Sequence, residues 1–328
     1  MTPWTRAADM LVRFWGTRGS LPVAIKAGAV RGKIARALVA ANEASIRDID
    51  QAYKFMDQEL DFAGSATYGG ATACVELEAG GSFFVCDMGS GLREFGLSAM
   101  KRCNAGHRRR FNIFQSHMHW DHIMGFPFFV PAFDPGARIV IHSAHPDAEE
   151  ALRRQQEEIS FPVPFDFLRA SIEFVAMTPG QPIEVDGLTV VAEKQLHSHD
   201  SYGYRLSDAR GRTVVFSTDS EHKPDNMEDE AAFIDFFRGA DLVICDTMYS
   251  LADSVSMKED WGHSSNVVAV DLCREAGAKR LALFHHEPTY DDEAIERMHR
   301  ETIRYEELTR GESPLEILCS YDGLEIQL

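Results

Sequence analysis

The chain has 328 residues, of which 45% are hydrophobic and 26% are charged, and its formal net charge is −18. This is the composition of a globular protein, and the length suits one large domain or two small ones. The acidic balance makes nucleic acid an unexpected partner, because neutralising phosphates takes lysine and arginine.

The lack of a recognisable targeting segment and the spacing of the cysteines indicate the cellular compartment. The apolar runs are all shorter than the roughly 18 residues that a membrane span needs. The first residues, Met1 to Arg6, lack the basic end and apolar stretch of a signal peptide. Six cysteines are scattered without a Cys-x-x-Cys pair, which indicates reduced, buried thiols. We expect a cytoplasmic protein with no membrane partner.

The N-terminal part combines a strand, a glycine-rich turn and a helical segment. Residues 11–15 predict a strand, and the turn follows at 16–22. Apolar residues then recur at helical spacing over residues 26–62, which predicts one long helix or two shorter ones. We interpret this segment as a helical insertion within a single domain of residues 1–328. Its apolar face needs a partner, which is the protein's own core, a second subunit in a homo-oligomer, or the site that it covers as a lid.

The rest of the chain alternates strands and helices. Strands in two blocks, each followed by helices, predict two sheets packed face to face with helices outside. Asp87, at the end of a strand, either orients a metal-binding histidine or caps the next helix. The aromatic stretch Phe161–Phe167 is either a packed loop or part of a substrate wall. Helices are predicted at 91–101 and 146–158, a helix and strand at 264–284, a last strand pair near 315–328, and other strands at 72–77, 82–87, 111–114, 138–142, 172–175, 188–191, 203–206, 213–216 and 242–245.

A dense cluster of metal-ligand residue types follows the predicted strand 111–114. His117, His119, Asp121 and His122 lie within six residues. Neutral imidazole and carboxylate are ligands for zinc and neighbouring first-row metals. Two sets packed so closely predict two metal ions, about 3.5–4 Å apart in sites of this kind.

The motif resembles the His-x-His-x-Asp-His signature of the metallo-β-lactamase superfamily. Three later elements resemble the RNA-processing and phosphodiesterase branch of that superfamily: His197 before a Gly-Tyr strand, Asp219 at a strand end, and His285 at another. Trp261-Gly262-His263-Ser264 resembles the His-Ser-Thr element of ribonuclease Z.

The resemblance implies an α/β fold, namely a four-layer αβ/βα sandwich, and a ligand set. His117, His119 and His197 would hold one metal, Asp121, His122 and His285 the other, and Asp219 would bridge them. The ions would be zinc, with manganese and iron as alternatives. A hydroxide between the metals would be the nucleophile. His263 would protonate the leaving group, with Glu221 or His222 as its partner.

The resemblance therefore implies a metal-dependent hydrolase. We expect a phosphodiesterase acting on a small-molecule substrate such as a cyclic nucleotide. The alternative on the same metals is hydrolysis of a carboxylic ester, thioester or lactam. A third reading, from another class, is a metal- or nucleotide-binding sensor without turnover.

Overall fold

Two seven-stranded sheets form the centre of the computed structural model, which describes residues 10–79, 81–222, 227–250 and 262–328. The first sheet has the order β14-β1-β2-β3-β4-β5-β6 and the second the order β13-β12-β11-β10-β9-β8-β7. The strands of the first sheet are β1 (Leu11–Gly16), β2 (Cys74–Ala79), β3 (Ser82–Cys86), β4 (Arg110–Phe114), β5 (Arg138–Ser143), β6 (Ser171–Ala176) and β14 (Glu325–Gln327). Those of the second are β7 (Ile183–Val185), β8 (Leu188–Gln195), β9 (Ser201–Asp208), β10 (Thr213–Ser217), β11 (Leu242–Asp246), β12 (Arg280–Phe284) and β13 (Glu316–Cys319).

The described helices are α1 (Ala27–Ala40), α2 (Ile49–Glu59), α3 (Phe62–Ser65), α4 (Leu92–Asn104), α5 (Trp120–Ile123), α6 (Ala148–Gln155), α7 (Met227–Phe237), α8 (Asn266–Glu275) and α9 (Asp292–Thr309). Of these, α4 packs on the outer face of the first sheet, and α7 and α8 pack on that of the second. Short 3-10 turns lie at Ala41–Glu43, Phe126–Phe128, Val130–Phe133 and Phe165–Phe167. No described helix is both long and apolar enough to cross a membrane.

Three apolar clusters hold the layers together. Phe14 of the first sheet meets Phe284 of the second between the sheets, with 6.2 Å between ring centroids. Phe95 of α4 packs under the first sheet, and Val270 of α8 packs under the second. Burial of each sheet on both faces explains why strands such as β3 and β11 have four apolar residues out of five. The expected four-layer sandwich is confirmed.

The final two strands differ from the expected pair. β13 lies parallel to β12 at the edge of the second sheet, whereas β14 pairs antiparallel with β1 in the first. The turn between them, near Gly323, therefore crosses from one sheet to the other. Strand propensity predicts that both segments are extended, but only the packing of two sheets decides which neighbour each one meets.

The parallel strands determine where the candidate functional residues lie. β3 and β4 run parallel, and so do β10, β11 and β12. The carboxyl ends of parallel strands lie at one edge of a sheet, where ligand sites commonly form. Polar residues that follow these five strands are thereby brought to one end of the sandwich.

The segment 26–62 forms helices that dock through polar contacts. Neither α1 nor α2 has a buried residue. Lys33 on α1 reaches into the body, where its ammonium contacts the carboxylate of Asp292 and the carbonyl of Ala66. Arg36 pairs with Glu293 at the surface. Val30, Ile34 and Leu38, at helical spacing on the other side of α1, remain exposed.

The ion pair of Lys33 and Asp292 should control how firmly α1 is held. In Lys33→Ala, among the described residues, the mostly buried Asp292 carboxylate keeps the hydroxyl of Thr67 and the amide of Tyr68 as hydrogen-bond donors. Breaking a buried pair costs about 3–5 kcal/mol, and we expect the lower end because those donors remain. The expected decrease in the free energy of unfolding is measured by urea denaturation.

Arg36→Ala is the matched control on the same helix. Its pair with Glu293 is more than half exposed, so we expect a cost of at most about 1 kcal/mol. Equal destabilisation by the two substitutions would contradict the assignment of Lys33 as the docking residue.

Candidate active site

Histidines and aspartates from both sheets meet at one end of the sandwich. His117 to His122 run from the end of β4 into the first turn of α5. His197 follows β8, Asp219 follows β10 and His285 follows β12. All seven residues predicted as metal ligands are thus brought together, although 168 positions separate the first from the last.

The first group of donor atoms consists of three imidazoles and one carboxylate oxygen. Nε2 of His197 lies 3.2 Å from Nδ1 of His119. Oδ2 of Asp219 lies 3.6 Å from Nε2 of His117 and 3.6 Å from Nε2 of His197. Tetrahedral ligands at zinc bond lengths are separated by about 3.3 Å. These four atoms therefore have the spacing of a single coordination shell.

The second group is tighter still. Nε2 of His122 lies 3.2 Å from Nε2 of His285 and 3.2 Å from Oδ2 of Asp121. Oδ1 of Asp219 lies 3.1 Å from each of these two imidazole nitrogens. The two oxygens of Asp219 thus belong to different groups, so that one carboxylate is shared between them.

The arrangement of these nitrogen and oxygen atoms suits the binding of cations better than it suits hydrogen bonding among the side chains. Nε2 of His117 is buried without a hydrogen-bond partner. Among the described residues, Asp121 and Asp219 have only histidines as ion-pair partners. These two buried carboxylates and five imidazoles form two groups that could hold a divalent metal ion, and Asp246 and His263 form a third such group with Asp219 and His285.

The electrostatics agree with this assignment. Burial lowers the pKa of His117 well below its usual range, and the neighbouring His122 adds to the effect. Burial would also lower the pKa of His122, but Asp219, Asp121 and Asp87 outweigh it and raise that pKa. The same field of carboxylates that draws a proton to His122 would attract a cation.

Two of the candidate ligand rings are oriented by a contact of their other nitrogen. Nδ1 of His122 lies 2.6 Å from Oδ2 of Asp87, and Nδ1 of His197 lies 2.9 Å from the carbonyl of Gly262. Such partners fix the tautomer, leaving the lone pair of Nε2 directed at the centre. Of the two roles considered for Asp87, the structure places its carboxylate on the histidine.

Near the candidate ligands, the backbone adopts conformations that few residue types tolerate. A Cβ at Gly262, where φ is +81°, would lie 2.4 Å from Nδ1 of His197. Asp87, Asp219 and His285 themselves have φ of +62°, +44° and +64°. Left-handed backbone at non-glycine residues is strained and clusters at functional sites. Here it turns three strand ends sharply inward.

His263 lies beside the second group, but its partner differs from the expected one. Nδ1 of His263 is 2.7 Å from Oδ2 of Asp246, the last residue of β11. Burial would lower the pKa of His263, but Asp246 outweighs it and raises the pKa to about 9. Nδ1 of His263 thus meets Asp246 and not the expected Glu221 or His222, because sequence proximity to Asp219 does not determine which strand end faces His263.

Glu221 and His222, the two residues expected to pair with His263, have other contacts. A carboxylate oxygen of Glu221 accepts a hydrogen bond from the amide of Gly262. His222 packs against Phe233, with 4.1 Å between ring centroids, and burial lowers its pKa to about 4. Trp261, the first residue of the motif that contains His263, lies outside the described residues.

Asp246 was not predicted as a residue of the site, and the turn that contains Ser20 also contributes to it. The amide of Ser20 donates to Oδ2 of Asp121 at 2.7 Å, so the glycine-rich turn after β1 borders the centre. An aspartate at the end of an apolar strand was the available signal for Asp246. Other histidines lie outside both groups, among them His286, whose Nε2 contacts the carbonyl of Ser320 at 2.8 Å.

Comparisons with known proteins agree with this geometry. A family model described as "Beta-lactamase superfamily domain" matches residues 84–286. Ribonuclease Z of Halobacterium salinarum is 33% identical over 145 residues, which are 44% of this chain and 39% of that protein. Ribonuclease Z of Archaeoglobus fulgidus is 24% identical over 271 residues, covering 66% of this chain and 82% of that protein. This chain therefore spans about two fifths of the length of the Halobacterium relative.

A solved structure shows the same fold. The metallo-β-lactamase fold protein YhfI from Bacillus subtilis matches with a TM-score of 0.64 and 18% identity, over 98% of this chain and all of that one.

These relatives correct the expectation about nucleic acid. Both similar proteins are ribonucleases by name, so treating nucleic acid as an unexpected partner because of the net charge of −18 was wrong. Net charge is a sum over the whole surface, whereas phosphates are bound by local cationic groups.

The family that the motifs indicate is confirmed by a match over more than half of the chain. The chain belongs to the β-lactamase superfamily and has the metallo-β-lactamase fold, and its sequence is similar to those of ribonucleases Z.

Proposed function

We propose that this chain is a phosphodiester hydrolase with a dinuclear metal centre. The observation that carries the proposal is the carboxylate of Asp219, whose two oxygens each complete a separate group of four donor atoms. A single mononuclear site would need only one of the groups.

Seven side chains would hold the metals. His117, His119 and His197 form one site, Asp121, His122 and His285 form the other, and Asp219 is shared. We propose zinc, because five of the seven ligands are imidazoles, with manganese and iron as alternatives. When bound, two such ions polarise a phosphate oxygen and lower the pKa of a water molecule.

His263 is proposed to supply the proton for the leaving group. Its Nδ1 is held by Asp246, so Nε2 is the atom from which a proton can pass to the departing oxygen. The carboxylate of Asp246 also accepts hydrogen bonds from the amides of Ser220 and Met248, which fix its position. A fixed carboxylate keeps His263 oriented and stabilises its protonated form.

A phosphodiester is proposed as the substrate for two reasons. Ribonuclease Z, the name of both similar proteins, describes an enzyme acting on RNA, whose backbone is a phosphodiester. A proton donor beside two metal sites also suits an alkoxide leaving group, which departs poorly without a proton. Cyclic nucleotides and RNA ends both contain such a bond.

Metal content tests the dinuclear centre. Protein purified without chelator should contain two equivalents of metal per chain by elemental analysis. Asp219→Ala should lose both, because its carboxylate completes both groups. His119→Ala, the matched variant, removes a ligand from one group only and should retain about one equivalent. Wild-type occupancy of one or less in metal-replete medium would contradict the proposal.

Asp87 should set metal affinity without being a ligand. Asp87→Asn weakens the orientation of His122, and we expect a loss of about 10–100-fold in affinity, measured by competition with a chromogenic chelator. Asp186→Asn is the control, since Asp186 also has a positive φ but pairs with Arg110 elsewhere. Unchanged affinity in Asp87→Asn, with the fold intact by circular dichroism, would refute the role.

The leaving group of the substrate tests the reaction. The wild type should hydrolyse phosphodiesters and not thioesters. His263→Ala should lose roughly 10²–10⁴-fold in kcat on a diester with an alkyl leaving group. It should lose much less on bis(4-nitrophenyl) phosphate, whose leaving group needs no proton. Steady-state kinetics of both substrates gives the comparison.

Two further variants complete this test. Asp246→Asn should show the same dependence on the leaving group as His263→Ala, but a smaller loss, because it acts through His263. An equal loss on both diesters in His263→Ala, with metal retained, would mean that His263 positions the substrate. Turnover of thioesters but not of phosphodiesters would reject the proposed function.

A further inference from the structure

A cleft of about 980 Å³ opens directly against the candidate metal ligands His117 and His119. A cleft of this size can enclose most of a small organic ligand. A substrate whose phosphate lies at the metal centre therefore has one of its substituents beside or inside this cleft. The lining of the cleft indicates which chemistry that substituent has.

Trp120 is the first feature of the lining. It lies between His119 and Asp121, and its side chain is 74% exposed. Its outward direction follows from helix geometry, since Asp121 and His122 in the same turn face inward and are buried. The identity of the residue does not follow from geometry, because any polar side chain would fit an outward position at lower cost.

A second aromatic group lies on the same cleft. Phe128 is 53% exposed, and its ring meets that of Phe161 edge to face, with centroids 5.3 Å apart and planes at 87°. Both rings line the cleft together with Trp120. Exposed aromatic side chains grouped beside a catalytic centre provide flat surfaces for a planar ligand.

Polar groups in the same lining argue against a hydrocarbon chain as the occupant. His145, His199 and Arg154 all contribute to the cleft. Nε2 of His145 already contacts the carbonyl of His199 at 3.1 Å, so the two residues form a connected polar wall. A purely aliphatic ligand would displace water from this polar wall without replacing the hydrogen bonds of that water, whereas a heteroaromatic ring offers acceptors and donors at its edge.

We propose that this cleft binds the nucleobase joined through its ribose to the scissile phosphodiester, with Trp120 as the stacking residue. This inference rests on the proposed phosphodiesterase function and specifies its substrate class. The base can come from a cyclic mononucleotide or from the terminal nucleotide of an RNA. Both sources present the same unstacked planar ring, which stacks on aromatic side chains largely without regard to base identity.

Binding measured by calorimetry tests the proposal without turnover. Stacking is removed by Trp120→Ala, so its affinity for a nucleoside monophosphate should fall about 5- to 150-fold. Its affinity for ribose 5-phosphate, which has no base, should stay the same. Trp120→Phe should recover part of the loss, because a smaller aromatic face remains. Metal content should be equal in all variants.

Phe167→Ala is the matched control. Phe167 is an exposed aromatic residue, 62% accessible, outside the lining of the cleft, and its substitution should alter neither affinity. Equal weakening of both ligands in Trp120→Ala would overturn the proposal, as would no weakening of either.

Kinetics distinguishes the two sources of the base. The kcat/KM values of wild type and Trp120→Ala are compared on a cyclic mononucleotide, on a short single-stranded RNA and on a dialkyl phosphate without a base. A loss on one or both nucleotide substrates alone supports the base site and identifies its source. An equal loss on the base-free diester overturns it.

Failure of the base site and failure of the proposed function give different results. If the wild type hydrolyses phosphodiesters but binds nucleotide and ribose phosphate equally, only the base site is wrong. If the wild type hydrolyses no phosphodiester, the proposed function fails together with the inference that depends on it.

Discussion

The buried carboxylate of Asp219 is the constraint on which the rest of the site depends. Its two oxygens lie 3.1–3.6 Å from four imidazole nitrogens that come from three separate stretches of chain. A buried negative charge is costly unless it is paired, and the partners that it finds here are histidines. Metal cations bound between the carboxylates and the imidazoles would neutralise the carboxylate charge. They would also occupy the space between imidazole nitrogen atoms that otherwise face one another.

The fold satisfies this constraint by ending its strands at one edge of the sandwich. Apolar clusters between and outside the sheets fix the strands, and sharp turns at Asp87, Asp219 and His285 direct the last residues inward. The strain of these left-handed residues is offset by the hydrogen bonds and packing that surround them. Carboxylates outside the ligand set then orient the histidines, since Asp87 holds the candidate ligand His122 and Asp246 holds His263.

Features outside the ligand groups distinguish this chain from a generic metal hydrolase. The lysine-bearing side of α1 is docked on the acidic start of α9, and its apolar stripe faces outward. On the other side of the metal centre, Trp120 and Phe128 border an open cleft. Nucleic-acid chemistry is compatible with a chain of net charge −18, because stacking surfaces and local cations act over distances shorter than those on which the overall charge is averaged.

The sequence by itself determined the two-sheet architecture and the ligand cluster from His117 to His122, because strand periodicity and the spacing of ligands after an apolar strand are local patterns. The other three candidate ligands, His197, Asp219 and His285, followed from the resemblance of the motifs to the metallo-β-lactamase superfamily. The sequence also predicted the helical character of residues 26–62, because the spacing of apolar residues along a helix is a local pattern. Only the tertiary structure decided that β13 and β14 lie in different sheets, and that His263 meets Asp246 instead of Glu221 or His222. Those outcomes depend on which strand ends become neighbours in space. That neighbourhood is set by packing between distant segments, and no local pattern in the chain encodes it.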